Sequence, residues 1–200
     1  ADIFADVAVG AITITGGESI SGNVTISGGW VGGSLNDGVI GDMTIDLGES
    51  SDFVLSVSGW AGDVGSVTAT VGNNGDADFL FDNVSGNIGD VSIDGGNGSI
   101  LWVNFSGSPG DIGDVILTGG DSSASAGVVA TSANSIDSVD ASAWLGELYV
   151  NLGGVVLGTT IKAGDGNSDI TGTEGSDNIF LGDGDDEVNF DATPTAADEI

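Results

Sequence analysis

A 24-residue block recurs through the middle of this chain without insertion. "IGDMTIDLG", "VGSVTATVG", "IGDVSIDGG", "IGDVILTGG" and "IDSVDASAW" begin at Ile40, Val64, Ile88, Ile112 and Ile136. Two further stretches with the same pattern, "VGAITITGG" from Val9 and "SGNVTISGG" from Ser21, precede them at shorter spacing. A repeat of this length means that one small unit stacks on the next and buries a shared core.

Within each unit the fourth and sixth positions are apolar: Met43 and Ile45, Val67 and Ala69, Val91 and Ile93, Val115 and Leu117. Alternation with period two marks a strand with one buried face. After a Gly-rich turn comes a second alternating run, Phe53-Leu55-Val57, Ala77-Phe79-Phe81 or Leu101-Val103-Phe105. Gly and β-branched residues interrupt every window long enough for a helix. Two short strands and two turns per unit predict one coil of an all-β, right-handed parallel β-solenoid over residues 1–160. Equivalent residues should then lie about 4.8 Å apart in interior ladders.

The aromatic residues Trp30, Trp60, Trp102, Trp144 and Tyr149 suit core and turn packing. Trp102 alternates with Leu101 and Val103, so it should point outward. Its counterparts in the preceding coils, Asp78 and Val54, do not make an aromatic column. Third positions (Asp42, Ser66, Asp90, Asp114) and closing positions (Asp63, Asn87, Asp111) should form polar columns on the outside.

Charge narrows the function. With 31 acidic side chains, Lys162 as the sole basic one and no histidine, the net charge is −30. Phosphates would be repelled, which excludes nucleic acid and anionic membrane surfaces as partners. Yet 40% of residues are apolar, too many for a disordered acidic tail. No apolar run reaches the length of a membrane-spanning helix, so no membrane insertion is expected. "ADIFADVAVG" has no basic segment of the kind that opens a signal peptide. Without cysteine or histidine neither a Ser-His nor a Cys-His pair can be built. A polysaccharide lyase would need basic groups near its substrate carboxylate. A carboxylate pair for glycoside hydrolysis stays formally possible, but spacing does not single one out. The chain is not expected to be an enzyme.

After Gly158 the period changes. "AGDGNSDIT" (163–171), "GTEGSDNIF" (172–180) and "LGDGDDEVN" (181–189) are tandem nonapeptides. They resemble the RTX repeat G-G-x-G-x-D-x-U-x, which implies a calcium-binding parallel β-roll over residues 161–190. In that family the first part of each repeat makes a turn and the last part a strand, and calcium lies between turns of every second repeat. The resemblance carries the role of metal ligand onto Asp165, Gly166, Asp169, Glu174, Asp177, Asp183, Gly184, Asp185 and Asp186. Asp165, Asp183 and Asp186 would share one edge with backbone carbonyls, and Asp177 the opposite edge. Ser168 stands where the repeat has Asp. Ca²⁺ takes six to eight oxygens, which Asp-Gly turns supply.

The order "IDSVDASA", an alternating apolar run, then "TTIKAGDGNSDITGTEGSDNIFLGDGDDEV" resembles bacterial S-layer proteins and related large RTX surface proteins. It implies secretion to the bacterial cell surface by a type I pathway and calcium-driven folding outside the cell. Residues 191–200, "DATPTAADEI", look like a connector into further sequence. The leading expectation is a self-assembling structural protein, a lattice or filament subunit whose partners are its own copies and calcium. The alternatives are a secreted adhesin or carbohydrate-binding module for cell-surface polysaccharide, and the non-catalytic module of a larger secreted enzyme.

Overall fold

The computed structural model describes residues 2–4, 8–28, 38–108 and 110–190. Trp30 and the 191–200 connector lie outside the described residues. Those described contain strands, turns and bends and no helix. The chain alternates between two long sheets whose strands all pair in parallel. One sheet carries, in spatial order, Ile12–Thr15, Met43–Leu47, Val67–Val71, Val91–Gly95, Val115–Gly119, Ser138–Trp144, Thr160–Lys162 and Asn178–Phe180. The other carries Asp2–Phe4, Ser21–Ser27, Asp52–Ser58, Asp76–Asp82, Ile100–Ser106, Ser125–Ala130, Glu147–Asn151, Ser168–Thr171 and Glu187–Asn189. The molecule is therefore a parallel β-solenoid.

The recurrent first residue of the repeat unit forms a third, narrow column at one corner. Single bridges join Val9 to Ile40, Ile40 to Val64, Val64 to Ile88 and Ile88 to Ile112, and a short strand pair adds Ile136. From Ile40 to Ile136 these side chains are almost fully buried.

One expectation is corrected at the N-terminal end. Ser21–Ser27 is not another copy of the opening strand; it pairs with Asp52–Ser58 and is the second strand of the first coil. Val9 is the true equivalent of Ile40, across a longer coil that runs from Ile12 to Met43. The alternation Val24-Ile26 resembles that of either strand of a coil, so period alone could not separate the two. Coils then advance evenly from Met43 to Val67 to Val91. The step is shorter from Ser138 to Thr160, and shortest from Thr160 to Asn178 and from Asp169 to Glu187. Two nonapeptides thus make one coil, and both sheets pass residue 160 without a break.

Inward residues form the expected ladders. Met43, Val67, Val91, Val115, Val139, Ile161 and Ile179 make one column. Across the core stand Leu55, Phe79, Val103, Val128, Val150 and Ile170, all fully buried. Phe81 and Phe105 stack with centroids 5.3 Å apart. Each buried aliphatic or Phe side chain contributes about 1.5–3 kcal/mol relative to exposure.

The column Leu47, Val71, Gly95, Gly119 ends at Trp144, and each glycine has its own reason. Gly119 has a φ of +84° and a Cβ there would collide with the Gly95 carbonyl, whereas Gly95 makes room for the indole. The indole of Trp144 leans back over earlier coils, so that a Cβ on Gly95 would lie 2.8 Å from its ring. Trp144 is fully buried and donates its Nε1–H to the carbonyl of Glu147 at 3.2 Å. Trp60 is also buried and donates to the Gly38 carbonyl at 2.8 Å.

Candidate functional site

The shortened C-terminal coil decides where the tail carboxylates go. Turns 163–168 and 181–186 stack on one edge of the solenoid. Backbone contact between them is close: a Cβ on Gly184 would lie 2.9 Å from the Gly166 carbonyl oxygen, and one on Gly182 would collide with that of Gly164. This edge gathers Asp165, Gly166, Asp183, Gly184, Asp185 and Asp186. Asp165, Asp183 and Asp185 are exposed, while Asp186 is half-buried. Asp186 accepts the Ser168 backbone N–H on Oδ1 at 2.9 Å, and the Asp185 N–H donates to Asn167 Oδ1 at 3.0 Å.

Glu174 and Asp177 lie on the opposite edge, in the turn 172–177. Glu174 is exposed, but Asp177 is only 2% exposed. Its Oδ1 accepts the Thr159 N–H (3.0 Å) and the Thr173 hydroxyl (2.7 Å), and its Oδ2 accepts the Thr173 N–H (2.8 Å). This carboxylate organises the turn. Asp169 is in neither turn: it belongs to the strand Ser168–Thr171 and points outward beside Glu187.

Among the described residues no three acidic side chains converge as a ready-made metal-ligand group. The 163–168/181–186 edge nevertheless has the donor chemistry Ca²⁺ prefers: several carboxylates beside closely stacked glycine carbonyls, all hard oxygens. The opposite edge fits less well, because protein donors already occupy Asp177.

The outer polar columns are coil-to-coil caps. Asp42 accepts the Ser66 N–H, Asp63 that of Asn87, Asn87 that of Asp111, and Asp90 that of Asp114, at 2.8–3.1 Å. Ser66 and Asn87 separate like charges that would otherwise stand about 4.8 Å apart. Hydrogen bonds from Asn134 and Ser135 hold the Asp111 carboxyl below the usual aspartate range, and those from Ser123 and Gly98 do so for Asp121. Partial burial pushes Asp140 up, but Ser142 and Lys162 outweigh it and leave it lowered. Lys162 reaches Asp140 Oδ2 at 2.9 Å, so the chain's one basic side chain is engaged.

The exception is a cluster on the outer face of the nine-stranded sheet. Asp52 and Asp76 are adjacent rungs, and Asp78 follows on the same face. Burial, then the Asp52 charge, raise Asp76; burial, then Asp76 and Asp52, raise Asp78. A raised carboxyl opposes folding once pH exceeds its unfolded value. Asp76→Asn should therefore raise the melting temperature at pH 7. Two charges about 4.8 Å apart repel by about 0.9 kcal/mol in water. Since Asp76 is exposed and screened, at most about 1 kcal/mol, or about 2–4 °C, is expected. Thermal melts should show that gain shrinking as pH falls toward 3.8, the ordinary aspartate value, and as salt rises. Equal melting temperatures at pH 7 and low salt would refute it.

Trp102 does point outward, 39% exposed. What the sequence did not reveal is its neighbour. In the next coil Gly127 occupies the same column, and Tyr149 the one after. The Trp102 indole lies over Gly127 and meets the Tyr149 ring, centroids 6.0 Å apart and planes at 50°.

Comparison with family models, curated proteins and solved structures finds no match to this chain. The fold defines its class, a two-sheet parallel β-solenoid whose coils shorten toward the C-terminal end.

Proposed function

We propose that this chain is a structural, self-assembling extracellular protein of a bacterial cell surface, a lattice or filament subunit stabilised by calcium, and not a catalyst. The observation that carries this reading is the regular outer surface: one polar column after another, repeated at coil spacing, with a single basic side chain in 200 residues. Thirty net negative charges hold protomers apart over a range of about 10 Å at 0.1 M salt. Monovalent salt only screens that repulsion, whereas a divalent ion bridges carboxylates of two protomers. Calcium does so more readily than magnesium, which keeps its water shell.

Electron microscopy of the purified protein tests this. Sheets or filaments are expected in millimolar calcium, dispersing in EGTA and re-forming poorly in magnesium. An assembly that persists in EGTA at low ionic strength would show that contacts other than calcium bridges hold it. A monodisperse monomer at every calcium concentration would remove the structural reading altogether.

A further inference from the structure

We propose that Trp102 and Tyr149 form the floor of a binding subsite for an amino sugar, a pyranose ring that carries a protonated amine. Glu147, Asp169 and Glu187 form its rim. This site goes beyond self-assembly and does not depend on it.

The floor is built rather than accidental. Most outward positions of this sheet are small or polar, but Trp102 projects between Asp78 on one rung and Gly127 on the next. Any Cβ at position 127 would strike the indole, so the glycine is what lets the ring lie down along the sheet. Tyr149, one coil further, meets its far side, and the two rings give a continuous aromatic surface across three coils. Both line an open cavity of about 440 Å³, shared with Glu147, Asp169 and Glu187.

The chemistry of the walls selects the occupant. An aromatic face receives the C–H face of a pyranose, and a cation beside the rings is attracted as well. Asp169 and Glu187 stand on adjacent rungs, like charge beside like charge, with Asn189 Nδ2 at 3.5 and 3.4 Å from their oxygens. Lys162, the only basic side chain, is bound to Asp140 on the other sheet. The rim thus has no basic side chain of its own. Sulfated, phosphorylated and uronic acid sugars would be repelled, whereas an ammonium satisfies the rim by charge-assisted hydrogen bonds.

Calorimetry on the full chain in calcium-containing buffer at physiological salt, with a glucosamine oligosaccharide and its N-acetylated counterpart, tests this. The free-amine oligomer should bind and the acetylated one bind at least about tenfold more weakly. Trp102→Ala should reduce affinity about tenfold or more, and so should Gly127→Val, which lifts the indole while favouring the strand. Circular dichroism should show both variants folded. Asp169→Asn in the rim should weaken binding several-fold. Because so acidic a chain attracts any cation, Asp63→Asn serves as its charge-matched control outside the subsite and should leave affinity unchanged. The proposal is overturned if the acetylated oligomer binds equally, if Trp102→Ala keeps full affinity, if Asp63→Asn costs as much as Asp169→Asn, or if no binding occurs at millimolar sugar.

Discussion

Trp144→Ala is expected to lower the melting temperature by about 10 °C, corresponding to about 3–5 kcal/mol. The indole is fully buried at the end of a column in which Gly95 and Gly119 offer no side chain. Removing it empties the space beside Gly95 and Gly120, neither of which has a side chain to fill it. The Glu147 carbonyl also loses its donor. The partner substitution makes the test specific. Gly95→Ala alone should destabilise by about 1–3 kcal/mol through overpacking, since its Cβ would sit 2.8 Å from the indole. In the Trp144→Ala background the contact with the indole is gone and only those with Ser99 Oγ (2.7 Å) and Leu101 Cδ1 (3.0 Å) remain, so the same substitution should cost less. Melting curves of the four proteins give the coupling between the two positions. If Gly95→Ala costs the same in both backgrounds, the indole is not what the glycine accommodates.

Much of this architecture was legible because it repeats. Ile40 through Ile136 recur at an unvarying interval, and alternation assigns Leu55, Phe79 and Val103 to one interior ladder. Legibility fails where the interval changes. Trp102 and Tyr149 lie in one column, joined through Gly127. The step from Trp102 to Gly127 is longer than the repeat and that from Gly127 to Tyr149 is shorter, so a search at the fixed interval passes over Tyr149. The first coil fails likewise, since its step from Ile12 to Met43 is longer still and both of its strands alternate alike. The nonapeptide period placed the tail turns on alternate edges but not the partners of their carboxylates. Those partners are mostly backbone N–H groups for Asp177 and Asp186, as they are for Asp63 and Asp90 in the regular coils. A backbone donor is present at nearly every position and leaves no mark on residue type.

The same distinction separates two roles that the tail aspartates share on paper. Asp177→Ala should unfold the last coils whether or not calcium is present. It strands two buried N–H groups and a hydroxyl, each costing about 1–3 kcal/mol, so a loss of about 3 kcal/mol or more is expected. Asp186 is half-buried and accepts the Ser168 N–H. In chelator, Asp186→Ala should therefore cost only about 0.5–1.5 kcal/mol. Calcium changes the comparison. A ligand at a hundred times its Kd stabilises the folded tail by about 2.7 kcal/mol, and Asp186→Ala should forfeit most of that gain. Amide hydrogen exchange resolves the two effects, with Ile170 and Asn178, whose N–H donates to the Thr159 carbonyl, reporting on the tail and Phe79 on the regular coils. Calcium should slow exchange at Ile170 and Asn178 in the unsubstituted protein, and much less in Asp186→Ala. In Asp177→Ala both amides should exchange fast with or without the ion, while Phe79 stays protected throughout. Should calcium restore protection to Asp177→Ala, that carboxylate is dispensable to the turn and its three protein donors are incidental. If calcium protects Asp186→Ala as fully as the parent, the 163–168/181–186 edge is not where the ion acts, and the crowded carboxylates there are merely solvated.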